Sequence, residues 1–381
     1  MGMAVLLALL ALWLHWEPAT EDQTQSLLGL PPRARDTNGP GTPLHDPPRP
    51  SAADLLEPPT QPPPSATAKR PADQAPLGFK PNPNLIVPAA PSHAWPARPA
   101  QTIVETQIAL ARLGLSPGSI DGVNGPKTRA ALRSFQMRQG MRPTGSLDAS
   151  IKSRLLLSEP PYTHHLVSAE DLNRLMVVPD SWLEKSRRTR LDHETLIELV
   201  AEQWQAHPDF IRQLNQNLDW SRVQVGTPLV VPNIRPVMPT ERAAWIRISL
   251  GERLIAVFDA RTNLVAHFPC SIARQAQDRW MGTARVASIA PGPHYTFDPD
   301  RFPRSPEARL IQGTLSIPPG PNNPVGTMWI GLDLPGYGIH GTPEPERVGE
   351  AASLGCFRLS NWNAELLGRM AWVGMPVLIE P

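Results

Sequence analysis

The sequence of 381 residues has little cysteine, almost no net charge and no long apolar run. A formal net charge of +1 argues against a general nucleic-acid binder, because such proteins carry a strong basic excess. The first 14 residues are uncharged and mostly apolar, but a membrane span needs about 20. The two cysteines, Cys270 and Cys356, form no C-x-x-C pair and no H-x-x-x-H spacing occurs, so the sequence lacks the usual ligand pattern of a zinc site.

Proline, in contrast, is in excess. The chain has 47 prolines, and 20 of them lie between positions 31 and 100, where few large apolar residues are available to form a core. This composition predicts a disordered, Pro-rich linker at residues 21–100. The apolar start has the length of a signal-sequence h-region, so residues 1–20 are predicted to be a signal peptide or an uncleaved membrane anchor. Either one implies export to the periplasm or cell envelope.

Residues 101–158 have the apolar spacing of a small helical domain. The spacing recurs on both sides of a glycine-rich turn, at Val104, Ile108 and Leu110 before it and at Leu132, Phe135 and Met137 after it. The turn at 118–127 reads GSIDGVNGPK, and the stretch at 144–148 reads TGSLD. Together with Gln107, these features resemble the small helical peptidoglycan-binding domain of cell-wall enzymes. The resemblance implies peptidoglycan as a partner.

Residues 162–234 predict a small α+β unit. The stretches 194–201 and 208–215 are amphipathic in the manner of helices, and 226–232, GTPLVVP, reads as a strand. An opening strand is expected at 165–168, with about 25 residues before the first helix. The order strand, helix, helix, strand resembles a lysin-motif domain, a βααβ unit that binds glycans containing N-acetylglucosamine. A purely structural spacer is the alternative.

Strand patterns dominate residues 240–381. The stretches 244–250, 254–258 and 264–272 are separated by short turns, which predicts a β-meander. Further short strands are expected at 313–317, 328–332 and 377–379. These patterns indicate a mostly β domain of roughly 140 residues, large enough to bury its own core. The chain is therefore predicted to be multidomain, with a helical, an α+β and a mostly β part after the linker.

Cys356 is the most distinctive residue of the β part. An isolated thiol has a pKa of about 8.5 and needs a base or a cation to act as a nucleophile. His340 lies sixteen residues earlier, a spacing that lets two strands return side by side. Gly355 allows the backbone amides to turn towards a developing oxyanion. Arg358 lies on the same side of an extended chain as the thiol.

These residues form a recognisable signature. The pair HG at 340–341, followed by SLGCFRLSN at 353–361, resembles the L,D-transpeptidase catalytic domain of bacterial cell walls. The resemblance implies that Cys356 attacks peptidoglycan stem peptides, that His340 is its base, and that a thioester leads to 3-3 cross-links. It implies neither a cofactor nor a metal. It also implies residues that stabilise the oxyanion or position the substrate: Gly355, Gly341, Arg358 and Ser353. The carbonyl of Gly341 is expected to orient the imidazole.

Other interpretations stay open on the residues alone. With water as acceptor, the same chemistry gives an L,D-carboxypeptidase, and without chemistry the chain is a peptidoglycan-binding scaffold. Cys270 and Cys356 could form a structural disulfide, which an oxidising compartment permits; otherwise Cys270 is an inert buried strand residue. The presence of both Cys356 and His340 favours the enzyme.

Overall fold

The computed structural model describes residues 95–234, 243–272, 280–349 and 356–381. The predicted leader at 1–20, nearly all of the predicted linker at 21–100, and two predicted site residues, Ser353 and Gly355, lie outside these ranges. Within the described ranges, no helix combines the length and the apolarity that crossing a bilayer requires.

The first part of the described chain is helical, as its apolar spacing predicts. Its elements are β1 (Arg98–Pro99), α1 (Ile103–Arg112), α2 (Pro126–Arg138), α3 (Ala149–Arg154) and β2 (Leu156–Leu157). The two short strands pair antiparallel and close the ends of the unit. Gln107 holds the glycine-rich turn, because its amide nitrogen donates to Asp121 Oδ1 at 2.7 Å and its amide oxygen accepts from the backbone of Gly122 at 2.9 Å. The turn is therefore fixed from within α1.

The second part has the predicted order of strand, helices and strand. Its elements are β3 (Tyr162–Leu166), α4 (Ala169–Arg174), α5 (Trp182–Ser186), α6 (Leu196–Gln203), α7 (Pro208–Leu214) and β4 (Pro228–Pro232). The strands β3 and β4 pair antiparallel. The opening strand begins three residues earlier than the predicted 165–168. It ends at Leu166, two residues before the predicted end, because Ser168 caps α4 through a capping box with Asp171. Helices α4 and α5 fill the interval before α6.

One hydrophobic core joins these first two parts. Ile108 and Leu132 of the helical part belong to the same buried cluster as Phe210 and Ile211 of α7. The two backbones also meet, since the amide of Ile120 donates to the carbonyl of Gln205 at 2.8 Å and the carbonyl of Ile120 accepts from His207 at 2.9 Å. The helical and α+β parts therefore pack as one body.

The third part is mostly β, as predicted. Its strands are β5 (Trp245–Ser249), β6 (Leu254–Phe258), β7 (Leu264–Pro269), β8 (Gly282–Pro291), β9 (Tyr295–Phe297), β10 (Leu315–Ile317), β11 (Met328–Leu332), β12 (Gly338–His340), β13 (Phe357–Arg358) and β14 (Pro376–Glu380). Eight of them form a sheet in the order β13-β12-β11-β8-β14-β5-β6-β7, and β9 and β10 form a separate hairpin. The pairs β12/β13 and β14/β5 are parallel. The predicted meander is present as β5, β6 and β7.

Helix α8 (Asn361–Met370) covers one face of the sheet. Ile330 and Ile339 share a buried cluster with Leu367 of this helix. Successive side chains of a strand point to opposite faces. Trp329 and His340, which are paired in register between β11 and β12, therefore lie on the face away from α8.

The helical part protects the outer edge of the sheet. The amide of Ser116 donates to the carbonyl of His267 at 2.9 Å, and the amide of His267 donates to the carbonyl of Gly114 at 3.0 Å. His267 of β7 is fully buried, and its Nδ1 lies 2.7 Å from the Ser134 hydroxyl of α2. An uncovered edge strand exposes unpaired backbone groups. The helical part thus completes the hydrogen bonding of β7.

Candidate active site

His340 ends β12 with its imidazole held from two sides. Its Nδ1 lies 2.6 Å from the carbonyl oxygen of Gly341, and its ring stacks on Trp329 with centroids 5.6 Å apart. Because a carbonyl oxygen can only accept, Nδ1 carries the hydrogen and Nε2 keeps its lone pair. This is the contact predicted for the Gly341 carbonyl. The fixed tautomer presents Nε2 as a base.

The surroundings of His340 keep this imidazole neutral. Burial lowers its pKa, the positive charge of Arg358 lowers it further, and the hydrogen bond to Gly341 partly opposes both, so the pKa is about 4. At neutral pH the ring is therefore in its basic form. The same conditions make an imidazolium costly.

The pairing of β12 with β13 brings the sequence-predicted residues to one place. The register sets Ile339 opposite Phe357 and His340 opposite Arg358. Phe357 and Ile339 are fully buried in the core. By strand alternation, Cys356 and Arg358 therefore share the face of His340. The same register places Cys356 opposite the position two residues before His340. The Cα atoms of Cys356 and His340 are therefore separated by about 5 Å across the strands and about 7 Å along them.

The thiol of Cys356 is partly exposed. Its Sγ lies 3.7 Å from the carbonyl oxygen of Gly336, in the turn that leads into β12. Both cysteines of the chain lie in the described ranges, and neither is in a disulfide. Cys270 is fully buried just after β7, and burial raises the pKa of its thiol. The disulfide alternative is thus wrong, and Cys270 is the inert buried residue that the sequence favours.

Arg358 places a half-buried positive charge near the thiol. Burial lowers the pKa of its guanidinium, and the negative charges of Cys356, Glu344 and Tyr295 oppose that shift. Its backbone is fixed on both sides, since its amide and carbonyl bond to Ser271 at 3.0 and 2.9 Å. Within the described part of the chain, its buried Nε has no hydrogen-bond partner. This donor is suited to a carboxylate or another acceptor of a ligand.

Gly341 is required here by packing. A Cβ on Gly341 would lie 2.1 Å from Oδ1 of Asn361, and a Cβ on Gly326 would lie 2.0 Å from the same atom. Gly326 also has a positive φ of 63°, which glycine adopts without strain. The amide of Gly341 donates to the carbonyl of Met328 at 3.1 Å. Its carbonyl, rather than its amide, therefore serves the site.

Tyr295 is a site residue that the sequence did not reveal. It lies on β9, where burial raises the pKa of its hydroxyl, and the charges of Arg301, Cys356 and Arg358 act on it. The phenol is therefore within electrostatic range of the thiol and the guanidinium. Nothing in the sequence links it to them, because the hairpin is about 60 residues from Cys356.

The hairpin that carries Tyr295 is held by the α+β part. Trp182 of α5 stacks on Phe297 of β9, with ring centroids 4.4 Å apart and an interplanar angle of 16°. The backbone amide of Trp182 donates to the carboxylate of Glu307, and Leu191 donates to the carbonyl of Pro319 at 2.9 Å. The segment between β3 and α6 therefore supports one wall of the site.

The side chains that commonly bind metal ions are dispersed in the described part of the chain. Across the four described ranges, no group of three or more His, Cys, Asp or Glu side chains is arranged to hold a metal ion. Glu344 is exposed and paired with Arg347 at 3.1 Å, and Asp333 is exposed and accepts from the backbone of Arg285 at 2.7 Å. Glu344 and Asp333, which lie near His340 in sequence, are thus surface charges. The geometry instead provides a base, a thiol and a cation.

Two stretches of the sequence match known families. Residues 100–155 match the family model of the peptidoglycan binding domain, and residues 243–379 match that of the L,D-transpeptidase catalytic domain. The second stretch runs from just before β5 to the last but one residue of β14. A helical peptidoglycan-binding domain and a mostly β domain of the L,D-transpeptidase type are therefore confirmed, whereas the lysin-motif identity of the α+β part stays a prediction.

Individual proteins show the same similarity. The Bacillus licheniformis protein YkuD, named as an L,D-transpeptidase, is 28% identical over 188 residues, which cover 49% of this chain and 94% of that protein. The localization factor PodJL of Caulobacter vibrioides is 37% identical over 91 residues, which are 24% of this chain and 9% of that protein. An L,D-transpeptidase structure from Mycobacterium smegmatis aligns with a TM-score of 0.29 at 18% identity, over 42% of this chain and 65% of that one. This chain covers less than two thirds of the length of PodJL and of the Mycobacterium smegmatis structure.

Proposed function

We propose that the protein is an L,D-transpeptidase that acts on peptidoglycan stem peptides through a thioester on Cys356. The observation that carries the proposal is the parallel pairing of β12 and β13, with His340, Cys356 and Arg358 on one face. The family match of residues 243–379 supports the reaction class, and the match of residues 100–155 supports peptidoglycan as the partner.

In the first half-reaction, Cys356 Sγ attacks the carbonyl carbon at the L-centre of the diaminopimelate residue in a donor tetrapeptide. His340 Nε2 takes the thiol proton, and the carbonyl electron pair moves to the oxygen. When that pair returns, the C–N bond to the terminal D-alanine breaks, and the proton on His340 passes to the leaving amine. The products are free D-alanine and a thioester on Cys356.

In the second half-reaction, an acceptor amine attacks the thioester carbonyl. His340 takes the proton of the amine, the C–S bond breaks, and the proton returns to the sulfur. A side-chain amine of a second stem peptide gives a 3-3 cross-link. Water in its place gives a tripeptide acid, which is L,D-carboxypeptidase activity from the same intermediate.

The charges around the site set the resting state. Because burial and Arg358 disfavour an imidazolium at position 340, the imidazole rests neutral and can take the thiol proton as the sulfur attacks. Arg358 stabilises the negative charge that develops on sulfur, or binds a substrate carboxylate through its Nε. Gly355 and Ser353 remain the predicted oxyanion or positioning residues.

The other parts of the chain would bring this chemistry to its substrate. The helical part at 101–158 would bind peptidoglycan, and the α+β part at 162–234 would bind glycan in the manner of a lysin motif. The predicted signal peptide or anchor at 1–20 and the linker at 21–100 would place the protein in the periplasm or cell envelope. Stem peptides and glycan strands are the proposed partners.

A turnover assay with purified disaccharide-tetrapeptide tests this proposal. The wild type should release D-alanine and form a dimer that mass spectrometry identifies as 3-3 linked, whereas Cys356→Ala should form neither. Cys270→Ala is the matched control, because it removes the other thiol and should keep turnover. Release of D-alanine by Cys356→Ala would refute the assignment, and a tripeptide product without dimer would identify water as the acceptor.

A further inference from the structure

A cavity of about 290 Å³ lies where the first two parts of the chain meet α8. Its wall includes His193 and Glu202 from the α+β part, and Trp362 and Glu365 from α8. The candidate active site is on the other face of the sheet, because α8 packs against the side opposite to His340. Gln203 and Arg369 line the cavity and are exposed, so it opens to solvent.

The charges around this cavity are already balanced by the protein. Each ionised group of the wall lies close to one of the opposite sign: Arg174 with Asp192 at 3.0 Å, His193 with Glu202 at 3.7 Å, and Arg369 with Glu365 at 3.6 Å. A ligand carboxylate would meet two glutamates, and a ligand ammonium would meet two arginines. The wall therefore favours an uncharged ligand over either ion.

Two buried donors of the wall make no hydrogen bond within the described ranges, although one of them faces a carboxylate. The ring of His193 is 4% exposed, its Nδ1 lies 3.0 Å from Asp192 Oδ1, and its Nε2 faces Glu202 Oε1 at 3.7 Å, beyond hydrogen-bond distance. Within the described ranges, neither this Nε2 nor the buried Nε1 of Trp362 has a hydrogen-bond partner. A buried polar group without a partner is costly unless water or a ligand supplies one.

Acceptors and apolar surface lie beside these donors. The carboxylate of Glu202 accepts from Asn361 at 3.1 Å and that of Glu365 accepts from Thr327 at 2.7 Å, which leaves lone pairs on each. The indole of Trp362 and the side chains of Phe268 and Leu366 supply apolar wall. The site thus alternates donors, acceptors and a flat hydrophobic surface.

We propose that this cavity binds one uncharged sugar ring, an N-acetylated amino sugar of the peptidoglycan glycan strand. A hydroxyl group both donates and accepts, so it can satisfy an open donor and a neighbouring carboxylate together. The C–H face of a sugar ring packs on apolar wall. The volume is at the lower end for ligand pockets, which suits a single ring. The choice of an amino sugar among hydroxylated ligands rests on the proposed function.

Calorimetry on the full chain, with the β-1,4 trimer of N-acetylglucosamine as the probe, tests the inference. Gln203→Trp places a large side chain at the cavity mouth and should remove one binding site. Gln224→Trp is the matched control, because Gln224 is exposed on the same part of the chain and does not line the cavity. Trp362→Phe keeps the ring but loses the donor, and should weaken this site about fivefold.

The results separate cleanly. Loss of one sugar-binding site in Gln203→Trp but not in Gln224→Trp supports the inference. If Gln203→Trp does not fold, the affinity of Trp362→Phe is the deciding measurement. No binding to the wild type, or identical binding by wild type, Gln203→Trp and Trp362→Phe, overturns it. The probe carries no stem peptide, so a failure here leaves the D-alanine release assay unaffected, and failure of that assay leaves sugar binding measurable.

Discussion

The imidazole Nδ1 of His340 donates a hydrogen bond of 2.6 Å to the carbonyl oxygen of the next residue, Gly341. This contact fixes the tautomer without any acidic partner. The hydrogen bond raises the pKa of His340 by less than burial and the charge of Arg358 lower it, so the pKa is about 4. The base is therefore weak but fully available at neutral pH.

The first prediction concerns the pH dependence of acylation. His340 accepts a proton only when it is neutral. The acylation rate should therefore stay constant as the pH is lowered from neutral to 5, and should fall as the pH drops through about 4. Burial is the larger cause of the low pKa and remains in Arg358→Gln, but the positive charge that lowers the pKa further is gone. The acid limb should therefore move upward from about 4, part of the way to the ordinary histidine value of about 6.5. Acylation rates measured against pH check this.

Arg347→Gln is the control for this experiment, because it removes a positive charge from the neighbouring loop that does not set the pKa of His340. Its acid limb should match that of the wild type. An unshifted limb in Arg358→Gln would contradict the assigned cause.

The second prediction concerns the thiols. Cys270 is fully buried and burial raises its pKa, whereas Cys356 is partly exposed. Because the thiolate is the reactive form, the native protein should react quickly with one equivalent of a thiol reagent and the denatured protein with two. Peptide mapping should place the fast label on Cys356. If neither thiol reacted until the protein had been reduced, a disulfide between Cys270 and Cys356 would be the correct interpretation instead.

The third prediction concerns the hairpin that carries Tyr295. Trp182→Ala removes the stack on Phe297, an aromatic contact of about 1 kcal/mol beyond its buried area. The hairpin should loosen, and the acylation rate should fall about tenfold, with a lower melting temperature. Leu183→Ala is the control, since this neighbouring side chain is 41% exposed. Equal rates in both variants would mean that the α+β part does not support the site.

The fourth prediction concerns acid stability. His267 is fully buried and its pKa is lowered to about 3 by burial, with a smaller effect of Arg133. Below about pH 6.5 this histidine binds a proton in the unfolded chain but not in the folded one. The free energy of unfolding is therefore highest above that pH and decreases as the pH falls towards 3.

His267→Asn should therefore remove a pH-dependent loss of about 2 kcal/mol between pH 6.5 and 5. Urea unfolding at both values checks this, with His164→Asn as the exposed control. The same slope in wild type and His267→Asn would show that another group causes the acid sensitivity.

How much the sequence predicts depends on how local the signal is. Strand β6 and strand β11 have the predicted bounds, because alternating and apolar runs between turns are local patterns. The signature residues Cys356 and His340 are also found from sequence. The parallel pairing of β12 with β13, which brings the two residues together, is not predicted from sequence. It depends on how the chain returns between the two strands, and no local pattern encodes that return.

The elements that sequence analysis missed share a physical reason. Strand β8 is long but carries small and polar residues, so its alternation is faint, and β13 has two residues. Tyr295 and Trp182 belong to the site through tertiary packing alone. The shared core of the first two parts likewise follows from packing between segments that look independent in sequence.

The measurement that tests the central claim most directly is intact-mass spectrometry of the full chain after incubation with a carbapenem, a strained β-lactam that opens when a nucleophile attacks its carbonyl. Wild type and Cys270→Ala should each gain one drug mass, located on Cys356 by peptide mapping, and Cys356→Ala should gain none. An adduct on Cys356→Ala, or no adduct on the wild type, would contradict Cys356 as an activated acyl-accepting nucleophile.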